Sequence, residues 1–190
     1  NDMTTFADAA YPRLSLVVPS FKAAKTMART LDSVIAQNYP NLELIVIDGG
    51  SPDGTADVIK SYEHIISYWV SEKDKGQVDA LNKGFARAGG DLYGWLCADD
   101  ELMPGALRSV AHVFMTRPEV DVVTGGCRRN FNDKFTVDTV PDAGFLNDLD
   151  FKNTIEQPST FWRSVNHAAA GDLDGTYRYA FDWEYWCRLK

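Results

Sequence analysis

Short, mostly apolar runs alternate with amphipathic stretches over the first two thirds of the chain, and this alternation limits the possible folds more than any other feature. Leu14 to Pro19, Leu42 to Ile47 and Leu92 to Cys97 are runs of this kind, typical of strands buried on both faces. Residues 65–70 and 120–124 predict two further strands. A helical pattern follows each of the first four strands, and this succession predicts a parallel, doubly wound α/β sheet with right-handed crossovers.

The last third of the chain has a less regular pattern. It predicts strands or a hairpin over 127–140, a short helix or loop over 142–153, a further strand over 160–163 and a helix that begins at Asp182. We find no internal repeat and no linker of low complexity, so this part is expected to pack on the same sheet as one domain.

The charge balance and the cysteines exclude several classes of protein. Nineteen basic and 27 acidic residues give a net charge of −8, which is not the basic footprint that nucleic-acid binding requires. The three cysteines, Cys97, Cys127 and Cys187, are too far apart for a Cys-x-x-Cys zinc site and indicate a reducing compartment. No run approaches the roughly 18 apolar residues of a transmembrane segment. We therefore expect a cytoplasmic location and no nucleic-acid partner.

Polar residues follow three of the predicted strands at the same edge of the sheet. Pro19 to Phe21 end the first strand, Asp48 ends the second, and Asp99 and Asp100 follow the fourth. Ligands of open α/β sheets bind at this edge, and carboxylates bind Mg²⁺ or Mn²⁺ together with substrate phosphates. A divalent cation would thus let an acidic chain bind a diphosphate. The alternative is that Asp99 only caps the helix that follows.

The glycine-rich turn at 49–54 lacks the spacing of known phosphate-binding loops. Neither G-x-G-x-x-G nor G-x-x-x-x-G-K-S/T occurs in the chain, so the dinucleotide-binding and P-loop fingerprints are missing. Asp53 is expected to start the next helix rather than to bind a ligand.

Five segments, taken in order, resemble the inverting nucleotide-sugar glycosyltransferases of family 2. They are VVPSF at 17–21, IDGGSPDGT at 47–55, DKGQVDALNKGFARAGGDLYGWLCADD at 74–100, QPSTFWR at 157–163 and DLDGTYRYAFDWEYWCRL at 172–189. The resemblance implies the GT-A fold, a Rossmann-like and mainly parallel twisted sheet flanked by helices in a single domain. It also implies a catalytic domain over 1–190, with a nucleotide-binding part at about 12–126 and an acceptor-side part at about 127–190, and we expect this domain to belong to a longer protein.

The resemblance implies a role for individual residues. The residues implied at the nucleoside are Pro19, Ser20, Phe21 and Asp48. The residue implied at the phosphates is Lys75. Those implied around the nucleotide or donor sugar are Gly76, Asp79, Asn82, Ala98 and Asp99. Asp100 would bind the Mg²⁺ or Mn²⁺, and Asp182 matches the catalytic base. Gln157 and Trp183 are expected on the acceptor side, where an aromatic face suits a sugar ring.

Three positions depart from the family pattern. Gly49 follows Asp48 where many members have a second acid, and Cys97 stands where the first acid of Asp-Ala-Asp-Asp is common. Phe181 precedes Asp182 where a glutamate is frequent. His167 lies near the implied site, and both ligand contact and simple packing are open for it. Arg128 and Arg129 are expected to be solvated.

The implied reaction is a single displacement with inversion, in which one carboxylate takes the proton of the acceptor hydroxyl. The expected function is transfer of a sugar from a nucleotide diphosphate, by default a UDP-sugar, to a hydroxyl of a glycan or lipid-linked acceptor. The enzyme would be cytoplasmic or peripheral at the inner face of the cell membrane. The alternatives are a nucleotidyltransferase, whose glycine-rich basic first loop is absent at 21–24, and a noncatalytic nucleotide- or glycan-binding module.

Overall fold

The computed structural model describes residues 10–131, 135–141 and 144–190. Over these residues a six-stranded sheet forms the centre of the fold, and a two-stranded hairpin lies beside it. The sheet consists of β1 (Leu14–Ser20), β2 (Leu42–Asp48), β3 (Tyr68–Ser71), β4 (Leu92–Trp95), β5 (Val122–Thr124) and β8 (Thr160–Arg163). The hairpin pairs β6 (Cys127–Phe131) with β7 (Phe135–Thr139), as the pattern at 127–140 predicts.

The helices lie between the strands and after them. They are α1 (Met27–Ile35), α2 (Thr55–Ser61), α3 (Gln77–Phe85), α4 (Ala106–Thr116), α5 (Phe145–Asp148), α6 (Ser164–Ala170) and α7 (Phe181–Leu189). The short helix predicted within 142–153 is α5, and residues 142 and 143 of that range lie outside the described residues. Within the described ranges, none of the helices has both the length and the apolar character that a membrane crossing requires.

The strand order is β3-β2-β1-β4-β8-β5, and the sheet is mainly parallel. β8 runs antiparallel to both of its neighbours, β4 and β5. The α/β fold with a mainly parallel sheet is therefore confirmed, whereas the sequential pattern does not predict the insertion of β8. Gly94 makes room for this strand, because a Cβ at residue 94 would lie 2.5 Å from Cδ1 of Phe161.

Three strands differ from their predicted bounds by two residues or more. β5 begins at Val122 rather than at residue 120, because the amide of Val120 donates to the carbonyl of Arg117 in a turn. β3 begins at Tyr68 rather than at residue 65, because Glu63–Ile65 form a 3₁₀ turn. β4 ends at Trp95 because the chain turns there, and the amide of Asp100 donates to the carbonyl of Cys97 over 3.0 Å. This turn brings residues 97 to 100 together at the carboxyl edge of the sheet.

The core on one face of the sheet fixes the position of α7. Trp186 is buried and stacks on Trp95 of β4, with ring centroids 5.0 Å apart and planes 8° apart. Tyr185 is fully buried and meets Trp162 of β8 edge to face. Aromatic pairs of this kind contribute about 0.5–1.5 kcal/mol beyond the area they bury. The helix that carries Asp182 is thus packed firmly on the central strands.

Candidate functional site

Two clefts open at the carboxyl edge of the sheet. The first has a volume of about 1120 Å³, and six residues implied at the donor line it: Pro19, Ser20, Phe21, Gly76, Ala98 and Asp99. The second has a volume of about 1100 Å³ and is lined by Asp100, Gln157 and Asp182, among others. Asp99 lines both clefts. The two spaces therefore meet at the turn that follows β4.

The first cleft carries lysines that the sequence analysis did not assign to the site. Lys22, Lys25 and Lys73 line it. Lys22 has a positive φ of 54°, and its amide donates to the Ser51 hydroxyl over 2.8 Å. Lys22 follows the predicted binding residues Pro19 to Phe21 directly in the chain, and this proximity is the signal that could have identified it. The three lysines balance the three carboxylates that line the same cleft and offer cationic groups to a ligand.

Asp48 lies beneath the wall of the first cleft and does not line it. It is fully buried, and its Oδ2 accepts from the Ser51 amide at 2.9 Å and the Ser71 hydroxyl at 2.6 Å. Its Oδ1 accepts from the Ser51 hydroxyl at 2.5 Å. The carboxylate thus holds the turn after β2 to the neighbouring strand β3.

Asp74 and Asp53 are the carboxylates that line the first cleft beside that turn. A Cβ at Gly49 would lie 2.7 Å from Oδ2 of Asp74, so Asp74 occupies the space beside the glycine. Asp53 accepts from the hydroxyl and amide of Thr55, the first residue of α2. The hydroxyl of Thr55 is the main cause that lowers the Asp53 pKa. Asp53 therefore stabilises the start of α2, as expected, while it also lines the cleft.

Besides Asp48, three residues implied at the donor line neither cleft. Asp79 accepts from the amide of Lys75 at 3.1 Å and pairs with Lys83 at 3.3 Å, and the Lys75 amide is the main cause that lowers the pKa of Asp79. Asn82 exchanges two hydrogen bonds with the backbone of Leu173, at 2.9 and 3.0 Å. Lys75, Asp79 and Asn82 thus fix the start of α3 and the segment that leads to α7.

The turn after β4 brings together a candidate set of metal ligands. Cys97, Asp99 and Asp100 each offer one ligand atom, and these atoms lie within 4.8 Å of one another. Burial, with a further contribution from the charge of Asp99, raises the pKa of Asp100 to about 6. Two carboxylates held together in a partly buried place repel each other, and a divalent cation relieves this repulsion. The two carboxylate oxygens, which lie where the two clefts meet, therefore fit Mg²⁺ or Mn²⁺.

The thiol of Cys97 is held between two glutamines. Its Sγ accepts from Gln77 Nε2 at 3.2 Å and donates to Gln157 Oε1 at 3.4 Å. Gln157 in turn donates to the carbonyl of Trp95 at 2.8 Å. Burial, followed by the charges of Asp100 and Asp99, raises the pKa of Cys97 to about 12. Gln157 therefore lies on the second cleft, next to the turn formed by residues 97–100, which we call the ligand turn.

Asp182 is the second residue of α7 and faces the second cleft, half-buried. Asn153, which lines the same cleft, donates from Nδ2 to Asp182 Oδ2 over 3.0 Å. The sequence analysis did not assign a role to Asn153. Asp182 thus shares one cleft with Asp99 and Asp100, which is the arrangement that a base near a metal-bound leaving group requires.

Trp183 and His167 take part in packing. The indole nitrogen of Trp183 donates to the carbonyl of Leu149 at 2.5 Å, and the residue lines neither cleft. The ring of His167 packs on Phe85 with centroids 4.9 Å apart, and its Nδ1 lies 2.6 Å from the Tyr185 hydroxyl. Burial lowers the pKa of His167. Packing is thus the reading that the position of His167 supports.

Basic residues of the hairpin line the second cleft in ion pairs. Arg128 pairs with Asp138 at 2.7 Å, and Arg129 pairs with Glu156 at 2.9 Å. Both arginine side chains are more than half exposed, so the expected solvation holds. The cleft therefore presents paired charges and amides beside apolar side chains such as those of Met103 and Val110.

Comparison with known proteins identifies a family. The profile described as "Glycosyl transferase family 2" matches residues 15–171. An uncharacterized glycosyltransferase of Nostoc sp. is 29% identical over 153 residues, which cover 79% of this chain and 47% of that protein. A PGL/p-HBAD biosynthesis glycosyltransferase of Mycobacterium bovis is 30% identical over 183 residues, or 93% of this chain and 69% of that protein. The chain thus spans about half the length of the Nostoc relative.

Solved structures agree in fold. S. aureus TarS 1–349 in complex with UDP matches with a TM-score of 0.73 and 18% identity, over 91% of this chain and 53% of that one. The mannosyltransferase PcManGT of Pyrobaculum calidifontis, in complex with GDP-Man and Mn²⁺, matches with a TM-score of 0.72 and 20% identity, over 96% and 53%. The sheet described above is thus the GT-A fold. By the profile match and its relatives, the chain belongs to glycosyl transferase family 2.

Proposed function

We propose that this chain carries the catalytic core of an inverting, metal-dependent glycosyltransferase that uses a nucleotide diphosphate sugar. The observation that carries the proposal is the position of Asp99, which lines both clefts, with Asp100 and Asp182 on the same second cleft. A donor that crosses from one cleft to the other would place its phosphates at the ligand turn. Its sugar would then lie within the space that Asp182 faces.

The first cleft is the proposed nucleotide site. Its named lining residues fall between Pro19 and Asp99, within the proposed nucleotide-binding part at 12–126. The exposed ring of Phe21 offers a surface for a base, and Lys22, Lys25 and Lys73 offer charge for phosphates. A UDP-sugar is the default donor, which is supported by the UDP complex of TarS. The GDP-Man complex of PcManGT makes a GDP-sugar the next donor to test.

Asp99 and Asp100 are the proposed holders of the metal. When bound, a Mg²⁺ or Mn²⁺ ion would offset the charge that develops on the departing diphosphate. The Mn²⁺ in the PcManGT complex supports this assignment. The lysines of the first cleft would act on the same phosphates from the other side.

Asp182 is the proposed general base. An acceptor hydroxyl in the second cleft would pass its proton to this carboxylate as its oxygen attacks the anomeric carbon, which contributes roughly 10²- to 10⁴-fold. Because the base would hold the attacking hydroxyl on the side opposite the leaving group, the configuration at the anomeric carbon would invert in a single displacement. Asn153 would hold the carboxylate in place through its hydrogen bond to Oδ2.

The second cleft is the proposed acceptor site, and half of its lining residues lie in the proposed acceptor-side part at 127–190. Its paired arginines and carboxylates suit the hydroxyls of a glycan or of a lipid-linked sugar. Gln157 would contact the acceptor from the ligand turn. We further propose a cytoplasmic location, free or peripheral at the inner face of the membrane. The free thiols of Cys97, Cys127 and Cys187 support it, since unpaired cysteines are typical of a reducing compartment.

A screen of nucleotide sugars with simple glycan acceptors tests this function. Wild-type protein should transfer sugar from one donor with inversion at the anomeric carbon, read by NMR of the product. Asp182→Asn should lose transfer by about 10²-fold or more and still bind UDP in calorimetry. The matched control is Asp57→Asn, since Asp57 is also an acid in the first turn of a helix. Full transfer by Asp182→Asn would reject the assignment of the base, and transfer with retention would reject inversion.

A further inference from the structure

The turn after β4 places a thiol where it can share an ion with two carboxylates. Cys97 Sγ and one oxygen each of Asp99 and Asp100 lie within 4.8 Å of one another. Oxygen and sulfur ligands at about 2.1 and 2.3 Å from one ion lie roughly 3.1 Å apart when adjacent and about 4.4 Å apart when opposite. The 4.8 Å bound is a few tenths of an ångström above the wider of these separations, so a small movement of the side chains would bring the three atoms to a single divalent ion.

We propose that Cys97 contributes a sulfur ligand, so that this site holds thiophilic divalent cations such as Co²⁺, Zn²⁺ and Cd²⁺ more tightly than Mg²⁺. The inference rests on the proposed function, because it takes Asp100 as a metal ligand. Carboxylate oxygens suit Mg²⁺ and Mn²⁺, whereas a thiolate selects softer ions. The proposed metal site of this chain combines oxygen and sulfur ligands, so its affinity should shift toward softer ions.

The neighbours of Cys97 hold the sulfur at the junction of the two clefts. Gln77, which lines the first cleft, donates to the sulfur, and Gln157, which lines the second, accepts from it. Coordination would break the Sγ–H bond, release that proton to solvent and form a metal–sulfur bond. The N–H of Gln77 can still donate to the sulfur afterwards, so the thiolate keeps one partner.

The other cysteines provide matched controls within the same chain. Cys127 lines the second cleft, and Asp100 is one of the charges that act on its thiol. Cys187 lies on α7, is exposed, and contacts the carbonyl of Leu149. Serine substitutions at these two positions remove a thiol without altering the three-ligand cluster.

Co²⁺ absorption spectroscopy on the purified chain is the decisive experiment, because a Co²⁺–thiolate bond gives a sulfur-to-metal charge-transfer band. The wild type, Cys127→Ser and Cys187→Ser should show this band, whereas Cys97→Ser should lose it. Loss of even an outer partner of a metal ligand costs roughly 10- to 100-fold in affinity, so Cys97→Ser should bind Cd²⁺ at least about tenfold more weakly. Cys97→Asp should bind Mg²⁺ more tightly than the wild type does, which gives a readout that does not depend on the serine variant folding.

The outcomes separate this inference from the proposed function. One outcome would overturn the sulfur ligand and leave the proposed metal site intact. In it, the wild type binds Co²⁺ without the charge-transfer band, and Asp100→Asn weakens that binding. A band that disappears in Cys127→Ser and persists in Cys97→Ser would overturn the assignment to Cys97. Absence of divalent binding to the wild type alone would overturn the inference, and absence of binding also in the presence of UDP would overturn the proposed metal dependence.

Discussion

The side-chain amide of Asn153 donates to Oδ2 of Asp182 over 3.0 Å and joins the loop after α5 to the start of α7. Asn153 is itself held, since its Oδ1 accepts from the amide of Ile155 at 3.2 Å. Nearby, Leu149 accepts from the indole of Trp183. The loop and the helix are thus joined at the proposed base and at the residue that follows it, so the orientation of the carboxylate depends on residues far away in sequence.

Asn153→Ala should slow sugar transfer without weakening nucleotide binding. One hydrogen bond of about 1 kcal/mol corresponds to a loss of roughly 3- to 10-fold in kcat. The KM of the donor should stay unchanged, because Asn153 lies on the second cleft and not on the first. Steady-state kinetics with the donor identified in the screen, together with UDP calorimetry, provide the measurement. An equal loss of UDP affinity would indicate that Asn153 supports the fold rather than the base.

The lysines of the first cleft should control nucleotide affinity. A chain with Lys22, Lys25 and Lys73 all changed to alanine should bind UDP roughly 3- to 150-fold more weakly, since each of the three exposed ion pairs contributes about 0.2–1 kcal/mol. The difference from the wild type should shrink as salt is added, because salt screens exposed charges. Lys60→Ala, a change in the last turn of α2 away from both clefts, is the control. Affinity that does not respond to the triple change would place the phosphates elsewhere.

His167 should make the fold sensitive to mild acid. Burial is the main cause that lowers its pKa; Arg188 acts in the same direction, and Asp172 opposes it. Below about pH 6.5 the unfolded chain therefore binds more protons at this residue than the folded chain does, and stability falls as the pH falls. His167→Gln should show a smaller loss of melting temperature than the wild type between about pH 7 and pH 5. Parallel pH curves for the two proteins would refute this account.

Gly94 should tolerate no side chain. Alanine there would bring its Cβ to 2.5 Å from the ring of Phe161 and force β8 away from β4. Overpacking of this kind costs about 1–3 kcal/mol, which lowers the melting temperature of a chain this size by several degrees. Gly175→Ala is the control, because its nearest neighbour is 3.7 Å away. Equal melting temperatures for the two variants would show that β8 can shift without cost.

The parts of the fold that depend on local pattern were predictable. Strands buried on both faces appear as continuous apolar runs, so β1 and β2 were found within one residue of their ends. The place of β8 between β4 and β5 depends on the contact of Gly94 with Phe161, which are distant in sequence. The hydrophobic period and the composition of the sequence carry no information about such a contact.

The residues of the candidate site were also predictable only in part. Asp99 and Asp100 were predictable because the carboxyl end of a strand is where α/β sheets bind ligands. The burial of Asp48 was not, because it depends on a serine of the neighbouring strand β3. Asn153 could not be assigned either, since its partner Asp182 is 29 residues away. Contacts between separate segments decide which polar residues face the clefts.

The close approach of Gly49 to Asp74 has a consequence for how this family varies. The space beside residue 49 is filled by a carboxylate from the loop before α3, because a Cβ at 49 would come within 2.7 Å of Asp74 Oδ2. The contact is with the tip of a flexible side chain, so a side chain gained at 49 requires Asp74 to turn away or to be replaced by a smaller residue. In relatives that carry an acid at 49, the residue at 74 should therefore be smaller or point elsewhere.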